Sequence, residues 1–333
     1  MGKDSIRLSS SEIGGLWSSY LQENLTVCLL TYFLHHNQDE EIRGILQHAY
    51  DLAVGHVEKI TAIFQKEEFP IPDGFSEKDI DLTIPPLFYD LFGLYFVNSL
   101  SRLSMIEIGF ITANVARQDV MELFIEMTKE STELYQMSTT LMQKKGIYDR
   151  SPMIPYPKEV EYTKKLSYLS GFGKKRPLNA IEITEIFYGI ERNYFSILLC
   201  MGLLQVVKDK EIHHFIKEGK KISEQQIRTY NELLMREELL GNVSIRTEVT
   251  DLTDNPFSER LIVTLFHLLN GVDITLLGHA ISTSMRTDLT ACFEKFLMQI
   301  LVYSAKGVDL MMERGWFQEP PHAPSRRKLE KID

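Results

Sequence analysis

The sequence predicts an all-α chain built from two tandem four-helix bundles. Three observations lead there. Apolar residues recur three and four positions apart over long runs, the period of a helix with one buried face. One helix opening and one helix stop each occur twice, roughly 170 residues apart, which marks an internal duplication. In each copy the connections between runs go short, long, short, so two antiparallel hairpins are joined by a long crossover between the second and third helix. That is the connection of a ferritin-like bundle rather than an up-and-down one.

The first copy opens at Leu8-Ser9-Ser10-Ser11-Glu12-Ile13. Ser9 and Glu12 have capping-box spacing, and Leu8 and Ile13 that of a hydrophobic staple. Leu178-Asn179-Ala180-Ile181-Glu182-Ile183 repeats all four roles. The first helix carries Leu16, Trp17, Tyr20, Asn24, Val27, Cys28, Thr31 and Leu34 on one face; the second carries Ile42, Ile45, Leu46, Ala49, Leu52, Ala53, His56, Ile60 and Ile63. A crossover from about Glu67 to Thr83 follows, punctuated by Pro70, Pro72 and Gly74. Pro85-Pro86 is expected to open the third helix, where a missing N–H costs nothing, with Phe88, Leu91, Phe92, Tyr95, Asn98, Met105 and Gly109 inward. The fourth helix runs from Val120 to Lys145-Gly146-Ile147-Tyr148, a glycine stop with Pro152 and Pro155 beyond it. The second copy follows the same plan, with a crossover over Gly241–Asn255, Pro256-Phe257 echoing Pro86-Leu87, and a stop at Arg314-Gly315-Trp316-Phe317. These signals assign residues 1–157 to the first bundle, 158–177 to a linker, and 178–333 to the second bundle with its charged tail.

A chain of 333 residues is long enough for two cores, and 44% hydrophobic with 25% charged residues is ordinary globular composition. A formal net charge of −10 argues against general affinity for nucleic acid or anionic membrane. Residues 1–7 lack the apolar core of a secretory signal, and Ile6 stands where myristoylation needs Ser or Thr. The most apolar run, 261–269, is too short to span a bilayer and is expected to close at Asn270 and Asp273. Cys28, Cys200 and Cys292 are isolated and odd in number, and read as reduced residues of a cytoplasmic protein.

The topology raises the question of a dimetal centre, which needs inward carboxylates on two helices and Glu-x-x-His on the other two. His56 falls on the inner face of its helix, but Ala53 occupies the glutamate position. Glu23, Glu107, Glu126 and Glu130 are the nearby acids, each beside the apolar stripe. Glu211-Ile212-His213-His214 matches the motif yet turns His214 to solvent, and Gln226 is the counterpart of His56. No catalytic residue and no cofactor are expected, and His56 with Glu23, Glu107 and Glu126 is a weak metal candidate set. Arg117-Gln118-Asp119 and Arg286-Thr287-Asp288 recur at the start of the fourth helix. They read as structural turn pairs, the acid favouring the helix N-terminus. Asn24, Asn98, Ser131 and Ser138 interrupt the apolar stripes and are expected to bind one another or buried water.

The paired openings and stops, together with Ile71-Pro72-Asp73-Gly74-Phe75, Pro152-Met153-Ile154-Pro155, Phe172-Gly173-Lys174-Lys175-Arg176-Pro177 and Pro256-Phe257-Ser258, resemble an uncharacterised family of spore-forming Gram-positive bacteria, domain of unknown function 3231. The resemblance covers nearly the whole chain. It implies a tandem pair of ferritin-like bundles, and some family members are described as spore-coat-like. The chain departs from the family pattern at Gln226, where a histidine is expected.

These readings favour a non-enzymatic structural or interaction protein, spore-coat related by the resemblance. Its two bundles are expected to pack as an intramolecular pseudo-dimer, and further copies or coat proteins are the expected partners. The alternatives are a degenerate metal-binding protein or oxidase around His56, and a carrier of a small apolar ligand held in a bundle interior near Phe88, Phe92 and Tyr95.

Overall fold

The computed structural model describes residues 6–241 and 248–330. The first five residues, residues 242–247 of the second crossover and residues 331–333 of the tail lie outside them. The chain forms two helical halves: α1 (Ser10–His36), α2 (Glu40–Lys66), α3 (Asp90–Thr112) and α4 (Gln118–Lys144), then α5 (Ala180–Val206), α6 (Lys210–Met235), α7 (Glu259–Thr283) and α8 (Thr287–Glu313). A short α9 (Arg326–Leu329) lies in the tail. Within each half the hairpin partners pack most closely, α1 on α2 and α3 on α4, then α5 on α6 and α7 on α8.

Local chemistry sets the ends of these helices. Both capping boxes form, Ser9 with Glu12 and Asn179 with Glu182. Gly146 (φ 68°) and Gly315 (φ 66°) adopt the left-handed conformation that glycine takes without a Cβ clash. Each completes a Schellman motif. The N–H of Ile147 donates to the Met142 carbonyl (3.0 Å) and that of Trp316 to the Met311 carbonyl (2.7 Å).

Pro85-Pro86 does not open α3. The chain stays extended through Tyr89, and helix begins at Asp90, whose carboxylate accepts the N–H groups of Gln38 and Asp39 in the α1–α2 turn. The extended stretch has its own role. Ile80 bridges Phe257 and Phe88 bridges Val249, both antiparallel. By the spacing that carries Arg117 to Arg286, Val249 is the counterpart of Ile80 and Phe257 that of Phe88, so the two bridges are one contact made twice. The hydrogen bonds repeat in the same way. Asp81 N–H donates to Pro256 O (2.8 Å) and Thr250 N–H to Leu87 O (3.0 Å), while Ser258 N–H donates to Asp79 O (2.8 Å) and Tyr89 N–H to Glu248 O (3.0 Å). Reciprocal contacts of this kind define a two-fold axis relating the halves.

Around that axis the halves share one core. Leu29, Leu30 and Phe33 of α1 and Phe92 to Val97 of α3 cluster with Leu198, Leu199 and Leu203 of α5 and Leu261 to Val263 of α7. Runs of consecutive buried residues mean that these four helices are covered on more than one face. The α2 stripe is single, through Ile42, Leu46, Ala49, Ala53, Ile60 and Phe64. On α1, Leu16 and Cys28 of the expected stripe are buried, its Trp17, Tyr20, Asn24, Val27, Thr31 and Leu34 are half-buried, and Leu25, Leu29, Leu30, Tyr32 and Phe33 are deeply covered. Helix α7 is long and apolar enough to cross a membrane by length and composition. Its Leu261, Ile262, Val263, Leu265 and Phe266 belong to this joint core, and its Leu277 and Ala280 to a separate cluster within the second half. Asn270 and Asp273 lie inside the helix rather than at its end.

The second half also holds the first crossover. The Gln318 amide oxygen accepts the Asp73 N–H (2.6 Å) and its NH₂ donates to the Asp73 carbonyl. Arg260 donates to the Gly74 carbonyl and lies over the Phe75 ring. A Cβ on Gly74 would come within 2.6 Å of Asn24 Oδ1, so only glycine allows this approach.

A shared core predicts joint unfolding. Leu203→Ala, at a site 1% exposed, should cost about 2–5 kcal/mol. Single-tryptophan variants retaining Trp17 or Trp316 report the two halves separately. Their denaturation midpoints should fall together in the Leu203→Ala background; a drop confined to Trp316 would contradict a common core.

Candidate functional site

The expected metal candidates separate in the structure. His56 is buried between two carboxylates, with Glu130 Oε2 2.6 Å from Nε2 and Glu23 Oε1 3.2 Å from Nδ1, the latter out of line for a hydrogen bond. Burial lowers the His56 pKa, but the two glutamates outweigh it and the net direction is up. Glu126 instead pairs with Lys59 (2.7 Å) at the surface. Glu107 lies on α3 with its carboxyl pushed up by burial, a hydrogen bond from Gln22 opposing. Because Glu23 and Glu130 approach opposite ring nitrogens, no point lies within bonding reach of all three groups, as a metal at about 2 Å would need. Among the described residues no group of three or more His, Cys, Asp or Glu side chains is placed to hold a metal ion.

The second half repeats this layer without charge. Asn193, Gln226 and Gln299 are the counterparts of Glu23, His56 and Glu130, and Asn193 Nδ2 donates to Gln226 Oε1 (3.0 Å). Asn98 donates to the Ser138 (3.1 Å) and Thr139 (2.9 Å) hydroxyls.

The recurrent arginine–aspartate pairs lie where helix ends converge. Arg117 grips Asp119 through Nε and Nη2 and reaches Glu67 at the end of α2 (2.6 Å). Arg286 does the same with Asp288 and Glu237. Glu12 accepts the N–H groups of Ala116 and Arg117, and Glu182 those of Met285 and Arg286. Burial pushes Glu12 up, but these donors and Ser9 hold its carboxyl at about 2. Arg176 of the pre-repeat run binds Glu182 with both Nη atoms (2.7 Å each), so Lys174-Lys175-Arg176-Pro177 is stitched to the second half.

The constellation that sequence spacing missed lies between the halves. A cavity of about 110 Å³ is lined from α3, α5 and α7, with further residues from α6 and α8. One wall is apolar, through Leu103, Phe195, Phe266, Leu269 and Val272. The other is charged. Arg102 Nη1 donates to Glu191 Oε2 (3.2 Å), and Arg192 Nη1 donates to Asp273. The Arg102 guanidinium lies 4.8 Å from the Tyr188 ring centre and 5.5 Å from that of Tyr135, whose hydroxyl meets that of Tyr148 at 3.0 Å. Burial pushes the carboxyls of Glu191 and Asp273 up, each opposed by its arginine. A second cavity of about 40 Å³ adjoins, sharing Ser99, Leu103, Phe195, Leu269 and Val272. A signal was present: Tyr95, Asn98 and Arg102 fall three and seven positions apart, on one helix face.

The His56 layer makes a testable difference between the halves. A histidine with a raised folded pKa stabilises fully below its unfolded value, near 6.5, and loses that contribution as pH rises through the folded value. Replacing the layer by its counterparts (Glu23→Asn, His56→Gln, Glu130→Gln) should remove a decline in stability as pH rises above about 6.5 in urea titrations. Glu130→Ala alone should cost about 1–3 kcal/mol. An identical pH profile for wild type and triple variant would refute the assignment.

No curated protein matches the sequence. Among solved structures, one from Bacillus halodurans described as a "putative spore coat protein" is similar over 45% of this chain and 98% of its own, with a TM-score of 0.42 and 19% identity. Residues 1–160 and 167–329 each match the protein family of unknown function DUF3231. The chain therefore belongs to the DUF3231 family, of which it carries two copies.

Proposed function

We propose that this chain is a non-enzymatic binding protein in which a pair of ferritin-like bundles encloses a seat for a small molecule. The observation that carries this reading is the cavity between the halves, apolar on one wall and ionic on the other. Pockets that take small ligands are largely apolar with a few convergent polar groups, and they occur preferentially at domain interfaces. The expected carrier role moves accordingly, from the interior of one bundle to the contact between two.

Saturation-transfer NMR with a panel of single-ring and short-chain compounds tests the reading. Binding should be seen with the native protein and lost in Ser99→Phe, which fills the wall common to both cavities while leaving the helical circular dichroism unchanged. A panel that binds both proteins equally, or neither, defeats it.

A second reading, the structural or coat-associated role implied by the family resemblance, draws on the segment joining the halves. Met153, Tyr156, Tyr162 and Leu166 are all more than 85% exposed there. Such residues suit docking onto another protein, further copies included. Sedimentation should show concentration-dependent association of the native chain, abolished in Tyr156→Ser/Tyr162→Ser. A monomer at all concentrations removes self-association as that role.

A further inference from the structure

We propose that the cavity between the halves takes a small monocarboxylic acid, with its apolar body against Phe195, Leu269 and Val272 and its carboxylate on the guanidinium groups of Arg102 and Arg192. This inference rests on the ligand-seat reading above and names the class of ligand.

The polar atoms left over around the cavity all point to that class. Arg102 Nε, Arg192 Nε and Asn270 Nδ2 are buried and have no hydrogen-bond partner. All three are N–H donors. The hydroxyl of Tyr303, which can also donate, is likewise buried there without a partner. Among the described lining residues, the buried nitrogens left without a partner are all donors. Each arginine meets its own carboxylate through Nη1, leaving the Nε edge of the fork unused. That edge is the geometry with which a guanidinium engages a second carboxylate.

Charge and size narrow the choice further. Glu191 and Asp273, paired with the two arginines, and Asp149 already line the cavity. A doubly charged phosphate would be repelled by them more than a monoanion would. The volume of about 110 Å³ is below the roughly 150 Å³ of an engineered apolar cavity that holds benzene, and reaches it only with the adjoining cavity of about 40 Å³. A single ring or a short chain fits across the two.

Pseudo-symmetry supports a ligand role for the charges. Across the two-fold axis the counterparts of Arg102, Glu191, Arg192 and Asp273 are Gly271, Leu21, Gln22 and Ser104. The mate position, which includes the smaller cavity, therefore packs without either ion pair. The architecture does not require them.

Calorimetric titration of the full chain with benzoate and hexanoate, against benzyl alcohol, hexanol, benzylamine and hexylamine, tests the proposal. The acids should bind about tenfold or more tighter than alcohols or amines of the same body. The preference should fall to within about threefold in Arg102→Met and in Arg192→Met. Asn270→Leu leaves both ion pairs intact and should weaken the acids several-fold, which keeps the test open if an arginine variant fails to fold. Alcohols or amines binding as tightly as acids, with loss in Ser99→Phe, would overturn the acid class while leaving the seat. Acid preference surviving all three substitutions would overturn the assigned groups. Binding of none of these compounds, with water alone in the cavity, would overturn the ligand reading itself.

Discussion

Two extended crossover segments hydrogen-bond to each other through four backbone N–H groups, and each bond has its two-fold mate. Most of the contact between the halves follows from that pairing. Backbone amides cannot be left unpaired in a buried seam, so the crossovers fix the register of one half on the other before any side chain is considered. Register then decides which helices face inward. The apolar all-round helices α1, α3, α5 and α7 meet across the axis, and the single-striped α2 keeps one face to the joint core. An isolated half would leave Tyr32 and Phe92, each 1% exposed here, without the Phe257 and Phe195 rings that now lie against them.

A second constraint acts locally and twice. Each capping-box glutamate closes the first helix of its half and also accepts the N–H groups at the start of the fourth. One carboxylate thus ties together two helix ends more than a hundred residues apart in sequence, and the adjacent arginine extends the knot to the end of the second helix. Isolated surface ion pairs contribute little. In the second half Arg286 is 3% exposed, so removing Asp288 or Glu237 would leave a buried cation short of a partner.

Much of this was legible in the sequence, and the part that was not has a physical explanation. Caps and glycine stops act over a few residues, so Ser9, Glu12, Gly146 and Gly315 announce themselves. A single helical period likewise found α2, where Ile42, Ala49, His56 and Ile60 fall on the buried face. The same method misjudged α1, because Leu25, Leu29 and Leu30 are covered by a second face that exists only once the halves meet. Pro85-Pro86 read as a helix start because proline suits that position; pairing with the other crossover kept the chain extended to Tyr89 instead. Asn270 and Asp273 looked like the end of an apolar run. Inside α7 they line a cavity that this helix shares with α3 and α5.

Duplication offers an internal control on what the fold itself needs. Where the halves keep the same residues, as in the capping glutamates, the arginine–aspartate pairs and the crossover bonds, the architecture depends on them. Where they differ, the fold has been satisfied in two ways. The His56 layer became amides in the second half, and both versions bury. The ionic wall of the interhelical cavity has no charged mate at all. Buried ion pairs seldom stabilise a core better than well-packed apolar residues. Four charged groups concentrated on one side of a pseudo-symmetric interface, with guanidinium edges still unpartnered, are costly by that measure. An acceptor-bearing ligand would satisfy those edges, whereas packing alone leaves them unpaired.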